Sequence, residues 1–218
     1  MKAPAHPFAA PIALLARLVS GVHVRRAGFH PDIRQRIYFA NHTSHLDFVV
    51  LWAALPRDLR ALTRPVAAQD YWDTGIRRYL AQSVFHAVFV RRRPATEHCG
   101  TLQVFEDSGS AIDQLVRAMG ATWSLILFPE GTRGTGETNG PFRGGLYHLA
   151  QKRPDVELVP VHLENLSRIL PKGELLPVPL LSVLTFGPPM RLAAGESKTL
   201  FLDRARAAVH SLRPRSRA

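Results

Sequence analysis

The sequence predicts an α/β fold: a single domain built on a mostly parallel sheet flanked by helices, with an apolar helix at its N-terminus. Three observations carry this. Short apolar runs rich in β-branched and aromatic residues recur at 37–40, 84–90, 124–128, 158–163 and 181–186, and stretches with helical start and stop signals separate most of them. Strands that alternate with helices pack as layers about a largely parallel sheet. The third observation is size: 218 residues at 46% hydrophobic content suffice for one substantial core. There are no internal repeats or low-complexity tracts.

Residues 8–19 are apolar but fall short of the ~20 needed to cross a bilayer. Arg17 interrupts this run, and Arg25 and Arg26 follow it. That pattern suits a helix lying among lipid headgroups, and it also suits a core helix of the domain. A signal peptide fits less well, because no small-x-small cleavage site precedes Arg25. Residues 1–30 are therefore set apart as a membrane-associating segment, and 31–218 as the domain.

The run Ile37-Tyr38-Phe39-Ala40 breaks into Asn41-His42-Thr43-Ser44-His45-Leu46-Asp47, so a buried strand should end in a polar loop. Thr43 or Ser44 can cap a helix that carries Asp47 in its first turn and stops near Pro56. Five residues apart on a helix is roughly 140° around the axis, so His42 and Asp47 can meet only across a bend. If they meet, the carboxylate fixes the imidazole tautomer and the other ring nitrogen can take a proton from a hydroxyl. A loop histidine beside a capping Asp is the plainer reading. His42, His45 and Asp47 could in principle hold a divalent ion, but we expect no metal and no cofactor.

Residues 63–72 suit a short strand and loop, and 76–83 a helix leading into the strand at 84–90, which ends in Arg91-Arg92-Arg93-Pro94. Ser108 or Ser110 can cap a helix over 111–119 that stops at Gly120. The strand at 124–128 breaks into Pro129-Glu130-Gly131-Thr132-Arg133-Gly134, and a helix resumes over 144–152. A Pro-rich loop at 171–179 separates the last two strands, and 197–212 closes the chain as an amphipathic helix.

Four of these strands lead into polar groups: His42 and Asp47, Arg91 to Arg93, Glu130 to Arg133, and Glu164-Asn165. In open α/β sheets ligands bind outside the carboxyl ends of the strands, so a parallel sheet would turn these groups toward one crevice. Gly131 and Gly134 let backbone N–H groups approach an anion, and Arg133 offers a planar fork for phosphate. Glu130 would orient Arg133 or accept a bond from a substrate hydroxyl.

Lys and Arg number 28 against 17 Asp and Glu, and the net charge of +11 calls for an anionic partner. No aromatic ladder or nucleic-acid motif accompanies the basic clusters, so nucleic acid is not expected as that partner. The lone Cys99 excludes an internal disulfide and a cysteine metal cluster.

His42-x-x-x-x-Asp47 followed by Phe128-Pro129-Glu130-Gly131-Thr132-Arg133 resembles the lysophosphatidate (1-acylglycerol-3-phosphate) acyltransferase family, in the order and spacing of the motifs. The resemblance runs from about residue 36 to 186. It implies that His42 is a general base and Asp47 its partner, with Glu130, Gly131, Thr132 and Arg133 in the acceptor site. The family's second block falls on 86–92, where Phe89 and Arg92 match while His86 and Arg91 replace the usual Gly and Asp. Val159-Pro160-Val161 resembles the fourth block, Pro160 being its matching proline. The implied reaction takes an acyl group from acyl-CoA or acyl carrier protein, as co-substrate rather than cofactor, to a lysophospholipid, with Arg92 and Arg133 on its phosphate. The apolar N-terminal segment and its arginines would then hold the domain, peripheral or monotopic, on the cytoplasmic face of a membrane carrying anionic lipid.

Overall fold

Arg36–Ala40 (β2) is buried at every position, as a central strand of a covered sheet requires. In the computed structural model, which describes residues 6–44, 46–68, 75–90, 108–131, 140–166 and 181–214, β2 pairs in parallel with Ser124–Leu127 (β5) on one side and Glu157–Glu164 (β6) on the other. Thr63–Ala68 (β3) extends the parallel set beyond β5, and Val88–Val90 (β4) forms its edge. On the far side of β6, Val183–Phe186 (β7) runs antiparallel, and His23–Arg26 (β1) lies parallel to β7. The seven strands thus follow the order β1-β7-β6-β2-β5-β3-β4, and the expected single, mostly parallel α/β domain is what forms.

Alternation along β2 divides the core between two layers. Tyr38 and Ala40 face the helical layer that includes Asp47–Ala54 (α2), where Val50, Leu51 and Leu55 pack. Ile37 and Phe39 face Ser108–Met119 (α5), Gly145–Lys152 (α6) and Lys198–Ser211 (α7), through Met119, Leu146, Leu149 and Phe201. Gly120 ends α5 in the left-handed region, at φ 48°. Ser197 caps α7 by accepting from the Leu200 N–H.

The N-terminal helix Ala9–Ser20 (α1) lies where the apolar run predicted it, but it is tied into the domain. Ala13, with Ile12, Ala16 and Val19, packs on the core that α2 shares, and Arg17 Nε donates to the Ala53 carbonyl at 2.8 Å. Ser182 donates through both its N–H and its hydroxyl to the Ser20 carbonyl. The boundary drawn at residue 30 is therefore crossed by the sheet, since β1 lies on the N-terminal side of it. No helix among the described residues is long and apolar enough to cross a membrane.

Three local differences have physical causes. β1, His-Val-Arg-Arg, has no apolar alternation to reveal it, and its pairing with β7 makes it a strand. Arg57–Ala61 (α3) follows Pro56 at once, since a proline that ends one helix also has the φ to begin another. The strand expected over 84–90 begins only at Val88. Gly75–Tyr79 (α4) continues into a π-helical turn, Leu80–Val84, whose last bonds run from Phe85 N–H to Leu80 and from Ala87 N–H to Ala81. His45, Arg91 to Arg93, Cys99, Thr132 to Gly134 and the 171–179 loop lie outside the described residues.

Candidate active site

β2 ends against β6 through a side chain. Beyond the last backbone pair, Ala40 with Val161, the buried Asn41 donates through Nδ2 to the Leu163 carbonyl at 2.9 Å and accepts the Leu163 N–H at 2.8 Å. This amide stands in for two ladder bonds, so the chain can leave the strand while staying fixed to it.

His42 comes next, and the bend that the dyad needs is present: His42 Nδ1 lies 2.8 Å from Asp47 Oδ2. The expected cap is reversed. The helix starts at Asp47 with Leu46 as its N-cap, and Ser44 Oγ accepts the Leu46 N–H at 3.3 Å, short of the helical residues themselves. Instead the fully buried Asp47 carboxylate reaches back, and the same Oδ2 accepts the N–H groups of Thr43 (2.6 Å) and Ser44 (2.8 Å). A carboxylate in the first helical turn meets loop N–H donors and the positive end of the helix dipole together. Among the described residues Oδ1 has no hydrogen-bond partner.

With Nδ1–H donating to Asp47, the lone pair of a neutral His42 falls on Nε2. The ring is stacked on Phe128, with centroids 4.4 Å apart and planes at 22°. Its backbone N–H donates to Glu130 Oε1 at 3.2 Å. Three neighbours therefore fix the imidazole: Asp47 at Nδ1, Phe128 on its face and Glu130 at its main chain.

Glu130 sits just past β5, at the same end of the sheet, and is buried. Burial pushes its carboxyl pKa up, while hydrogen bonds from the backbone of His42 and Gly140 pull the other way. Its own carbonyl accepts from Arg143 Nε at 3.0 Å, and the Pro129 carbonyl accepts from the Arg143 N–H at 2.8 Å. Gly131 turns at φ 72°, a left-handed conformation that glycine adopts freely.

Of the residues singled out in sequence, the fold thus brings together His42, Asp47, Glu130 and Gly131. Arg92, Thr132 and Arg133 lie outside the described residues. Pro160 lies within β6, in the strand expected over 158–163, buried opposite Phe39 and against Gly187, where an added Cβ would stand 2.9 Å from Pro160 Cγ. That is a position in the sheet, three residues before the strand's contact with Asn41. Asn165, at the end of β6, turns at φ 67° and donates to the Leu181 carbonyl. β4 is separated from β2 by β5 and β3, so the chain leaves it about 14 Å across the sheet from His42.

Sequence reasoning assigned no role to Asn41, Phe128 or Arg143. A polar residue directly ending a fully apolar strand, and a basic residue opening the helix after the glycine loop, were the signals for the first and last.

The family model described as Acyltransferase matches residues 21–164, from β1 through β6, so the chain belongs to the acyltransferase family. Its fold is similar to that in the crystal structure of the 1-acyl-sn-glycerophosphate (LPA) acyltransferase PlsC from Thermotoga maritima. The TM-score is 0.67 and the identity 17%, over 92% of this chain and 78% of that one. No curated protein matches it in sequence. Family and fold agree with the resemblance carried by the His42 and Glu130 motifs.

Proposed function

We propose that the protein moves a fatty acyl group from acyl-CoA or acyl carrier protein to the free hydroxyl of a lysophospholipid, with 1-acylglycerol-3-phosphate giving phosphatidic acid. The observation that carries this reading is the His42–Asp47 contact at the carboxyl end of the central parallel strand, in a chain of the acyltransferase family. His42 Nε2 takes the proton of the acceptor hydroxyl as its oxygen attacks the thioester carbonyl. Asp47 holds the ring in the productive tautomer and stabilises the imidazolium. The tetrahedral intermediate then collapses, breaking the C–S bond, and the imidazolium returns its proton to the thiolate. No covalent enzyme intermediate is required.

In this reading Glu130, Gly131 and Thr132 line the acceptor site, and Arg92 and Arg133 take its phosphate. The face of α1 that carries Phe8, Leu14, Leu15 and Leu18 is exposed and apolar, which supports α1 lying in the headgroup layer on the cytoplasmic side of a membrane.

A different lysolipid acceptor is the second reading, and His86 favours it. Where the family's second block has Gly, this chain holds a histidine at φ 49°, so the glycine-like backbone persists while the side chain differs.

The test is acyl transfer from a thioester to lysophosphatidate by wild type and His42→Ala in reconstituted membranes, following released thiol and lipid product together. Loss of a general base should lower the rate by ~10²–10⁴. Transfer that survives the substitution removes His42 from the mechanism. A silent wild type that becomes active on another lysolipid selects the second reading, and one silent on every acceptor leaves a lipid-binding domain without turnover.

A further inference from the structure

Two arginines aim at one carbonyl at the far end of α2. Arg17 Nε of α1 donates to the Ala53 oxygen at 2.8 Å, and Arg60 Nη1 of α3 reaches the same oxygen at 3.4 Å. An unpaired carbonyl in the last turn of a helix, at the negative end of its dipole, accounts for one cation. It does not account for a second, nor for Arg57, one turn before Arg60 on the same side of α3. Among the described residues none of the three has a carboxylate partner, and the Arg60 guanidinium lies over the Trp52 ring, 5.1 Å from its centroid. Burial first, and then the charges of Arg17 and Arg57, push the Arg60 pKa down, as expected of cations gathered without a counter-ion.

The cluster is continuous with an apolar surface. Leu14, three residues before Arg17 and so its neighbour on the helix, is exposed together with Leu15, Leu18 and Phe8. Guanidinium forks beside an exposed leucine face match a lipid at a bilayer surface: phosphate oxygens meet the forks and acyl chains meet the leucines.

We propose that Arg17, Arg57 and Arg60 form a headgroup site for the phosphate of an anionic bilayer phospholipid, seated beside Leu14 and Leu18. This deepens the membrane placement proposed above and rests on it. The site lies toward the opposite end of α2 from Asp47, about 9 Å along the helix at Ala53, so it is separate from the reacting centre.

The test is co-sedimentation of the full chain with phosphatidylcholine vesicles, with and without phosphatidylglycerol, for wild type, Arg57→Gln/Arg60→Gln and the charge-matched Arg117→Gln/Arg206→Gln. The control arginines are exposed on α5 and α7, across the sheet. Loss of the two cluster charges should weaken binding to anionic vesicles about 30-fold, a factor of roughly five per charge, with little change in the control. Arg57→Gln alone, which leaves both Ala53 contacts in place, should give about a fivefold loss and guards against misfolding. Equal losses in the two double variants, or equal wild-type binding to both vesicle types, overturn the proposal. So does release by millimolar inorganic phosphate at constant ionic strength, which would make free phosphate the ligand. If wild type transfers no acyl group yet shows the expected vesicle pattern, the acyl-transfer reading alone fails. Transfer to a detergent-dispersed acceptor should be unchanged in Arg57→Gln/Arg60→Gln.

Discussion

The Arg143 guanidinium lies so close over Gly131 that a Cβ at that glycine would stand 2.6 Å from Nε and 2.9 Å from Cδ. The same Nε holds the Glu130 carbonyl, and the Glu130 side chain holds the His42 main chain. Gly131 is thus required twice, by its φ and by the arginine that passes over it.

Gly131→Ala should cost about 1–2 kcal/mol for the left-handed backbone, and more for displacing Arg143. In an Arg143→Ala background only the backbone part should remain. A melting-curve cycle of the two substitutions reads the difference, and strict additivity would mean that the close approach carries no energy.

Asp47 separates chemistry from folding. Asp47→Asn retains one oxygen for the Thr43 and Ser44 N–H groups, so stability should fall by only about 1–2 kcal/mol while transfer falls ~10²-fold or more. Asp47→Ala strands both donors in a buried site and should cost about 3 kcal/mol or more. Equal melting temperatures for the two variants would show that the loop does not depend on this carboxylate.

His162 makes stability acid-sensitive. It is buried on β6 with Nδ1 unpartnered among the described residues, and burial, helped by Arg213 and His210, lowers its pKa from 6.5 to about 4. Between those values the unfolded chain binds a proton that the folded chain refuses. Its contribution is therefore intact above pH 6.5 and is lost as pH falls toward 4, by about 3 kcal/mol in all. Substitution by Gln should flatten urea-unfolding stability over that window, and an unchanged slope would assign the acid sensitivity elsewhere.

Glu130 works in the opposite direction. Its folded pKa is raised above 4.5, so its stabilising contribution is full below that value and is lost as pH rises through the folded pKa. Gln can still accept from the His42 N–H. The melting temperature of Glu130→Gln relative to wild type should therefore climb with pH above 4.5, and a flat or falling difference would show that the charged carboxylate is welcome there.

Much of this was legible because it is local. β2 announces itself as an apolar run cut by Asn41, and Gly120 and Ser197 mark helix ends by backbone and side-chain chemistry that acts within a few residues. The spacing of His42 and Asp47 said that a bend was needed, and Glu130-Gly131 said that backbone would approach closely. What was not legible depends on partners distant in the chain. β1 is a strand because β7 lies beside it, and the Pro160 contact with Gly187 joins two stretches of chain that only the sheet brings together.

The sequence by itself determined the layer architecture, the central strand and the residue types at its exit, since periodicity and turn chemistry act over short range. Only the tertiary structure decided that Asp47 binds the loop in place of a Ser or Thr cap. It alone stacked Phe128 on His42, 86 residues away in sequence, and set Arg143 over Gly131. The ring stack joins residues that meet only after β2 and β5 are in register, while the Asp47 and Arg143 contacts join near neighbours in the chain whose approach is set by how the loops leave those strands.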